Sequence, residues 1–119
     1  MKAVLLVSHG SRSPKTKDEI ASLVNSLRQR LQDHIIEFAF LEIESPGIPD
    51  GIDKCVAQGA DQVMVTLNFL NAGRHVDTDI PAIVGLAKKK YPKVKFSLTK
   101  PIGQHQQIPN LFIDLINDA

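Results

Sequence analysis

Residues 1–10 read MKAVLLVSHG, and the fold turns on how this stretch is taken. Five consecutive apolar positions, Ala3–Val7, offer no polar face to water, which suits a strand covered on both sides. The run then breaks at Ser8-His9-Gly10, a polar turn with a glycine to ease it. A stretch this short neither spans a bilayer nor makes a signal-peptide core, so no membrane segment is expected here.

Working outward, strand-like and helix-like patterns alternate. Ile20, Leu23, Val24, Leu27 and Leu31 follow helical spacing. Ile35–Leu41 returns to strand character, Ile52, Cys55 and Val56 suggest a short helix, and Gln62–Leu67 is another apolar, β-rich run. Ile80, Ile83, Val84 and Ala87 share one helical face that ends near Tyr91-Pro92. Val94–Leu98 makes a fourth strand, and Ile108, Leu111, Phe112 and Leu115 a last helix. Four β–α units predict an α/β, flavodoxin-like three-layer domain: a four-stranded parallel sheet with helices on both faces. No linker or repeat interrupts it, so residues 1–119 are expected to form a single domain.

Composition narrows the partners. The chain is 43% hydrophobic and 23% charged with a formal net charge of +1, which argues against broad binding to nucleic acid or anionic membrane. Cys55 is the only cysteine, so no internal disulfide or cysteine-cluster metal site can form. A cytoplasmic setting follows.

In open parallel sheets ligands bind beyond the carboxyl ends of the strands. His9 follows the first strand in SHGSR, and His75 follows the third in NFLNAGRHVDTDIP, residues 68–81. With strands one and three adjacent, the two imidazoles share a crevice, where they can bind a metal or take up a proton. Two histidines are too few for a closed structural zinc site and suit an open one. Glu42 follows the second strand in FLEIESPGIP, as a wall of the crevice or a solvated strand end. Arg12 and Arg74 stand beside the histidines, and guanidinium grips carboxylates bidentately, which favours recognition of an anionic ligand. Asp77 and Asp79 are expected to cap the third helix. His34 is read as a structural residue ending the first helix, His105 as a polar opening of the last or part of the site, and Lys15, Lys17 and Lys88–Lys90 as solvated faces.

Taken together, VSHGSR, FLEIESPGIPDGI, FLNAGRHVDTDIP and PIGQH, in this order and spacing, closely resemble the short-form class II tetrapyrrole chelatases: sirohydrochlorin cobalt- or nickel-chelatases of the archaeal type. The resemblance covers nearly the whole chain. It implies a lyase of tetrapyrrole (cobalamin or related cofactor) biosynthesis that inserts a divalent metal, cobalt first with nickel or iron as alternatives, into sirohydrochlorin. It implies no permanently bound cofactor, since the metal is a substrate, and a homodimer in which two copies enclose the cleft. Carried over by motif, His9 and His75 would bind the metal and accept pyrrole protons, with Glu42 assisting. Gln106 departs from a proline common after the last histidine, which leaves His105 without an assigned role.

The chemistry fits the residues independently. Insertion must strip water from a divalent ion, hold it over a flat ring and remove two pyrrole protons. Imidazole suits cobalt, nickel and iron. A ring rimmed with carboxylates would be held by Arg12 and Arg74, and its flat face would rest on Phe69, Leu70 and Ile102. Two other readings use the same residues. A non-catalytic metal or tetrapyrrole carrier would stop at stoichiometric transfer. A histidine-dependent phosphatase would read SHGSR as a distant RHG, though Ser8 stands where that motif has arginine.

Overall fold

The computed structural model describes residues 1–119. Its sheet is parallel and four-stranded, from β1 (Lys2–Ser8), β2 (Ile35–Phe40), β3 (Gln62–Leu67) and β4 (Lys95–Leu98), in the order β2-β1-β3-β4. Val4 pairs with Ile36 on one side and Met64 on the other, so β1 is central and β3 its neighbour. The helices are α1 (Pro14–Arg30), α2 (Ile48–Ala57), α3 (Ile80–Lys90) and α4 (Ile108–Asp118). Every one has a proline in its first turn, Pro14, Pro49, Pro81 and Pro109, where the missing N–H costs no helical bond and the fixed φ already suits the helix.

Side-chain alternation along the strands sorts the core into two unequal halves. Leu5, Val7, Val63 and Val65 point toward α2 and α3 and pack with Ile48, Ile52, Cys55, Ile80 and Val84 in a cluster of 15 buried residues. Val4, Leu6, Ile36 and Phe40 point the other way and meet Ile20 and Val24 of α1 in a cluster of only 6. The second face is therefore covered mainly over β1 and β2, with Met64 of β3 packed at its margin. Helices were expected on both faces, and they are there. The departure is α4, which forms as a helix but stands clear of the sheet with none of its residues buried.

Two polar arrangements secure the periphery. On edge strand β2 the Ile36 carbonyl accepts hydrogen bonds from Arg28 Nε (3.0 Å) and Nη2 (2.7 Å), while Glu37 accepts one from Gln58. Across the other face, Tyr91 and Lys90 both donate to Asp53, joining the end of α3 to α2. Lys90 is thus a paired residue and not merely a solvated one. These bonds, Tyr91's first, hold the Asp53 carboxyl below its ordinary range.

Cys55 is fully buried in the larger cluster. Desolvation pushes its thiol up to about 12, so it stays protonated through the neutral range. The folded protein is expected to show no reaction with a thiol reagent at pH 8 and one full equivalent once denatured; labelling before and after addition of denaturant checks this.

Candidate functional site

The strand ends converge because the backbone ladder continues past them. Leu41 N–H donates to the Ser8 carbonyl at 2.8 Å and Glu42 N–H to the His9 carbonyl at 3.1 Å, zipping the loop after β1 to the loop after β2. Ser11 N–H adds a bond to Glu44 Oε1 at 2.7 Å. Gly10 makes the zip possible. Its φ is +105°, and a Cβ there would fall inside contact distance of the Glu42 carbonyl. Next to Glu42, Ile43 holds φ at +72°, a sparsely populated conformation for a β-branched residue. On the other flank, Asn68 N–H donates to the Val7 carbonyl and its side-chain amide to Ser8 Oγ at 3.0 Å.

After β3 the chain enters α3 through a single π-helical turn, His75–Asp79. Such turns re-aim side chains and recur at functional sites. His75 Nδ1 lies 2.9 Å from Asp79 Oδ2, an i,i+4 pair that fixes the ring and leaves Nε2 outward. The His9 and His75 rings lie 5.1 Å apart, centroid to centroid. His9 Nε2 is 2.8 Å from Glu42 Oε1, and His9 Nδ1 is 3.3 Å from its neighbour's carbonyl at Gly10. His9, Glu42 and His75 each offer a ligand atom, all within 4.8 Å of one another. A first-row ion with bonds of about 2.1 Å needs donors roughly 3–4 Å apart, so small side-chain rotations would seat one. Each side chain is about half exposed, 45%, 53% and 45%, so the set opens to solvent.

The three residues expected at the crevice are thus brought together, with Arg12 and Arg74 exposed near the same loops and engaged in no ion pair. Leu70 is exposed, whereas Phe69 is half-buried against the larger core cluster. Ile102 opens a short 3-10 turn, Ile102–Gln104, whose Gly103 N–H donates to the Phe69 carbonyl. His105 lies apart from the trio and accepts a bond from Gln107 N–H at 3.0 Å, the helix-opening role weighed for it. His34 falls beyond the end of α1 and pairs with Asp33 at 2.7 Å.

Asp79, read as a helix cap, does stand at the N-cap position of α3 but makes no side-chain cap bond; its carboxylate turns to His75 instead. The signal available was the four-residue spacing in HVDTD. A cavity of about 520 Å³ lies among Thr66, Thr99, Lys100, Ile102 and His105, and none of the three candidate ligands lines it.

The structure thus presents a parallel α/β sheet with an open histidine–carboxylate set at its strand ends. Comparison with known proteins places it further. The CbiX family profile matches residues 3–119, and the chain belongs to that family. It is 35% identical over 115 residues, 97% of this chain and 49% of the relative, to the chloroplastic sirohydrochlorin ferrochelatase of Arabidopsis thaliana. It is 35% identical over 91 residues, 76% of this chain and 64% of the relative, to a sirohydrochlorin cobaltochelatase of Methanocaldococcus jannaschii. The crystal structure of the sirohydrochlorin chelatase SirB from Bacillus subtilis subspecies spizizenii in complex with cobalt superposes with a TM-score of 0.89 at 32% identity, over 98% of this chain and 50% of that one. The chain thus spans about half the length of the first and last of these.

Replacing Gly10 with alanine forces an L-residue into the left-handed region against the Glu42 carbonyl. The expected cost is about 1–3 kcal/mol, read as a lower denaturant midpoint, with the His9–Glu42 contact opened in the variant's crystal structure.

Proposed function

We propose that this protein inserts a divalent metal ion, cobalt first with nickel or iron as alternatives, into sirohydrochlorin, and that it works as a homodimer with no permanently bound cofactor. The observation that carries the reading is how the two histidines are backed. His75 can donate its Nδ1–H to Asp79, and His9 its Nδ1–H to the Gly10 carbonyl, so both rings can turn an unprotonated Nε2 toward one ion. Glu42 adds a carboxylate at the same point. That carboxylate attracts a cation and would repel a phosphate, which weighs against a phosphatase.

Insertion exchanges one divalent ion for two pyrrole N–H protons. In this reading the ion arrives partly hydrated, and His9, His75 and Glu42 replace some of its water. As the pyrrole nitrogens close on the ion, each gives up a proton, and the electron pair of the broken N–H bond becomes the new bond to the metal. Glu42 and the imidazole released from the ion accept those protons and pass them to solvent, which the half-exposed positions allow. Arg12 and Arg74, unpaired at the rim, supply bidentate donors for the macrocycle's carboxylates. Leu70 and Ile102, exposed beyond β3 and β4, offer apolar surface to its flat face, with Phe69 beneath.

The names of the relatives support this substrate, and the one-sided placement of the three ligands supports a second copy. One chain presents them on one side only, and a broad ring needs a second wall.

The purified protein offered sirohydrochlorin and Co2+ should give many metallated rings per chain above the spontaneous rate; transfer that halts at one ring per chain would mark a carrier. His9→Ala and His75→Ala are each expected to lose that enzymatic rate while keeping the wild-type circular dichroism. Asp79→Asn should keep the fold and weaken Co2+ binding about 10–100-fold, followed through the cobalt absorption bands. Near-normal turnover in both folded histidine variants would overturn the assignment.

A further inference from the structure

The loop that carries Glu42 is built against the usual preference of its residues. Between β2 and α2 it leaves Ile43 59% exposed and half-buries the charged Glu44 beside it. Ile43 holds φ at +72°, and the Glu44 N–H donates back to the Glu42 carbonyl at 2.8 Å. A bond from residue i+2 to residue i across a positive φ makes the rarer, strained form of γ-turn. Its isoleucine gains little burial, so the strain must be offset by a polar contact.

Glu44 supplies that contact. Backbone bonds fix the margins of the loop: Phe40 N–H to the Pro46 carbonyl at 2.8 Å, Leu41 N–H to the Ser8 carbonyl at 2.8 Å and Glu42 N–H to the His9 carbonyl at 3.1 Å. The far side of the turn is tied to the loop after β1 by a side chain, where Glu44 Oε1 accepts from the Ser11 N–H at 2.7 Å. This is the short distance expected when a carboxylate accepts from a backbone amide, and such bonds are among the stronger ones. Ser11 Oγ in turn accepts from the N–H of Ser13, the residue that precedes α1, at 3.1 Å. A continuous path therefore runs from the start of α1 through Ser11 and Glu44 to the turn that aims Glu42.

Glu44 does not itself join the candidate ligands. The donor atoms within 4.8 Å of one another belong to His9, Glu42 and His75. Nor does Glu44 form an ion pair with any basic residue.

We propose that Glu44 is a positioning residue for metal capture: its bond to Ser11 holds the Ile43 turn closed and so keeps Glu42 Oε1 at 2.8 Å from His9 Nε2. Released from Ser11, the turn would relax toward the negative φ that a β-branched residue prefers. Glu42 would then swing off the histidines and leave two ligands in place of three. The inference rests on the metal-handling reading above and adds the residue that assembles its third ligand.

The test is a titration with Co2+ alone, without tetrapyrrole, followed through the cobalt absorption bands. It compares the unaltered protein with Glu44→Ala, Glu44→Gln, Glu42→Ala and the Glu42→Ala/Glu44→Ala double variant. Positioning predicts that Glu44→Ala weakens binding about tenfold. Glu44→Gln keeps an oxygen for the Ser11 N–H and should stay within about threefold of the unaltered protein. Once Glu42 is alanine, Glu44→Ala should cost nothing further, because its effect passes through Glu42. An equal loss in Glu44→Gln and Glu44→Ala would make Glu44 a source of charge only, and an equal loss with and without Glu42 would make it a general support of the loop. Either result overturns the proposal. Binding that Glu44→Ala leaves unchanged removes the proposal alone, whereas an unaltered protein that takes up no Co2+ removes the metal-handling reading and the proposal together. Should Glu44→Ala fail to fold, Glu44→Asp takes its place, since it keeps the charge and shortens the reach by one carbon. The same loss, absent when Glu42 is alanine, is then expected, and no loss overturns the proposal.

Discussion

Everything at the site depends on two backbone hydrogen bonds made after the strands have ended. Leu41 to Ser8 and Glu42 to His9 extend the β1–β2 ladder into the loops, and without them the acid and the imidazole would sit on independent turns. The extension demands a residue without a Cβ at position 10, because the Glu42 carbonyl occupies that space. One glycine thus couples two loops whose bonded residues are 33 apart in sequence, and the local strain at Ile43 is the conformational cost of turning the chain away again.

The electrostatics of the trio follow from that closure. A carboxylate lies beside one histidine and another behind the second, so that under the proposed function a divalent cation would exchange water for oxygen and nitrogen donors. Half-exposure of all three side chains leaves the set open to solvent. A closed four-ligand site would hold its ion as part of the structure; under the proposed function, three donors on one side would hold it only until something with more nitrogens arrives.

Much of this was legible in the sequence, for identifiable reasons. A run with no polar face, Ala3–Val7, could only be a doubly covered strand, and the alternation that follows dictated the parallel sheet. With the sheet came the rule that ligands meet at strand ends, which brought His9, Glu42 and His75 together on paper as they are in space. Boundaries were less clear, although the four first-turn prolines mark each helix start. What stayed hidden depends on long-range geometry. HVDTD gives no hint that the helix begins with a wider π turn, so Asp79 looked like a cap. The periodicity of Ile108–Leu115 identified a helix with an apolar face, yet periodicity says nothing about where that face is buried.

The two hydrogen bonds from Arg28 to the Ile36 carbonyl also have a consequence for the edge of the sheet. β2 forms one margin of the sheet, and a bare margin invites further strands, from another molecule, to add on and continue indefinitely. The guanidinium occupies an acceptor on that margin with a bulky, hydrated charge, and Gln58 ties down the next side chain along. The opposite margin is only four residues long and begins with Lys95. Growth strand by strand is thereby discouraged on both sides.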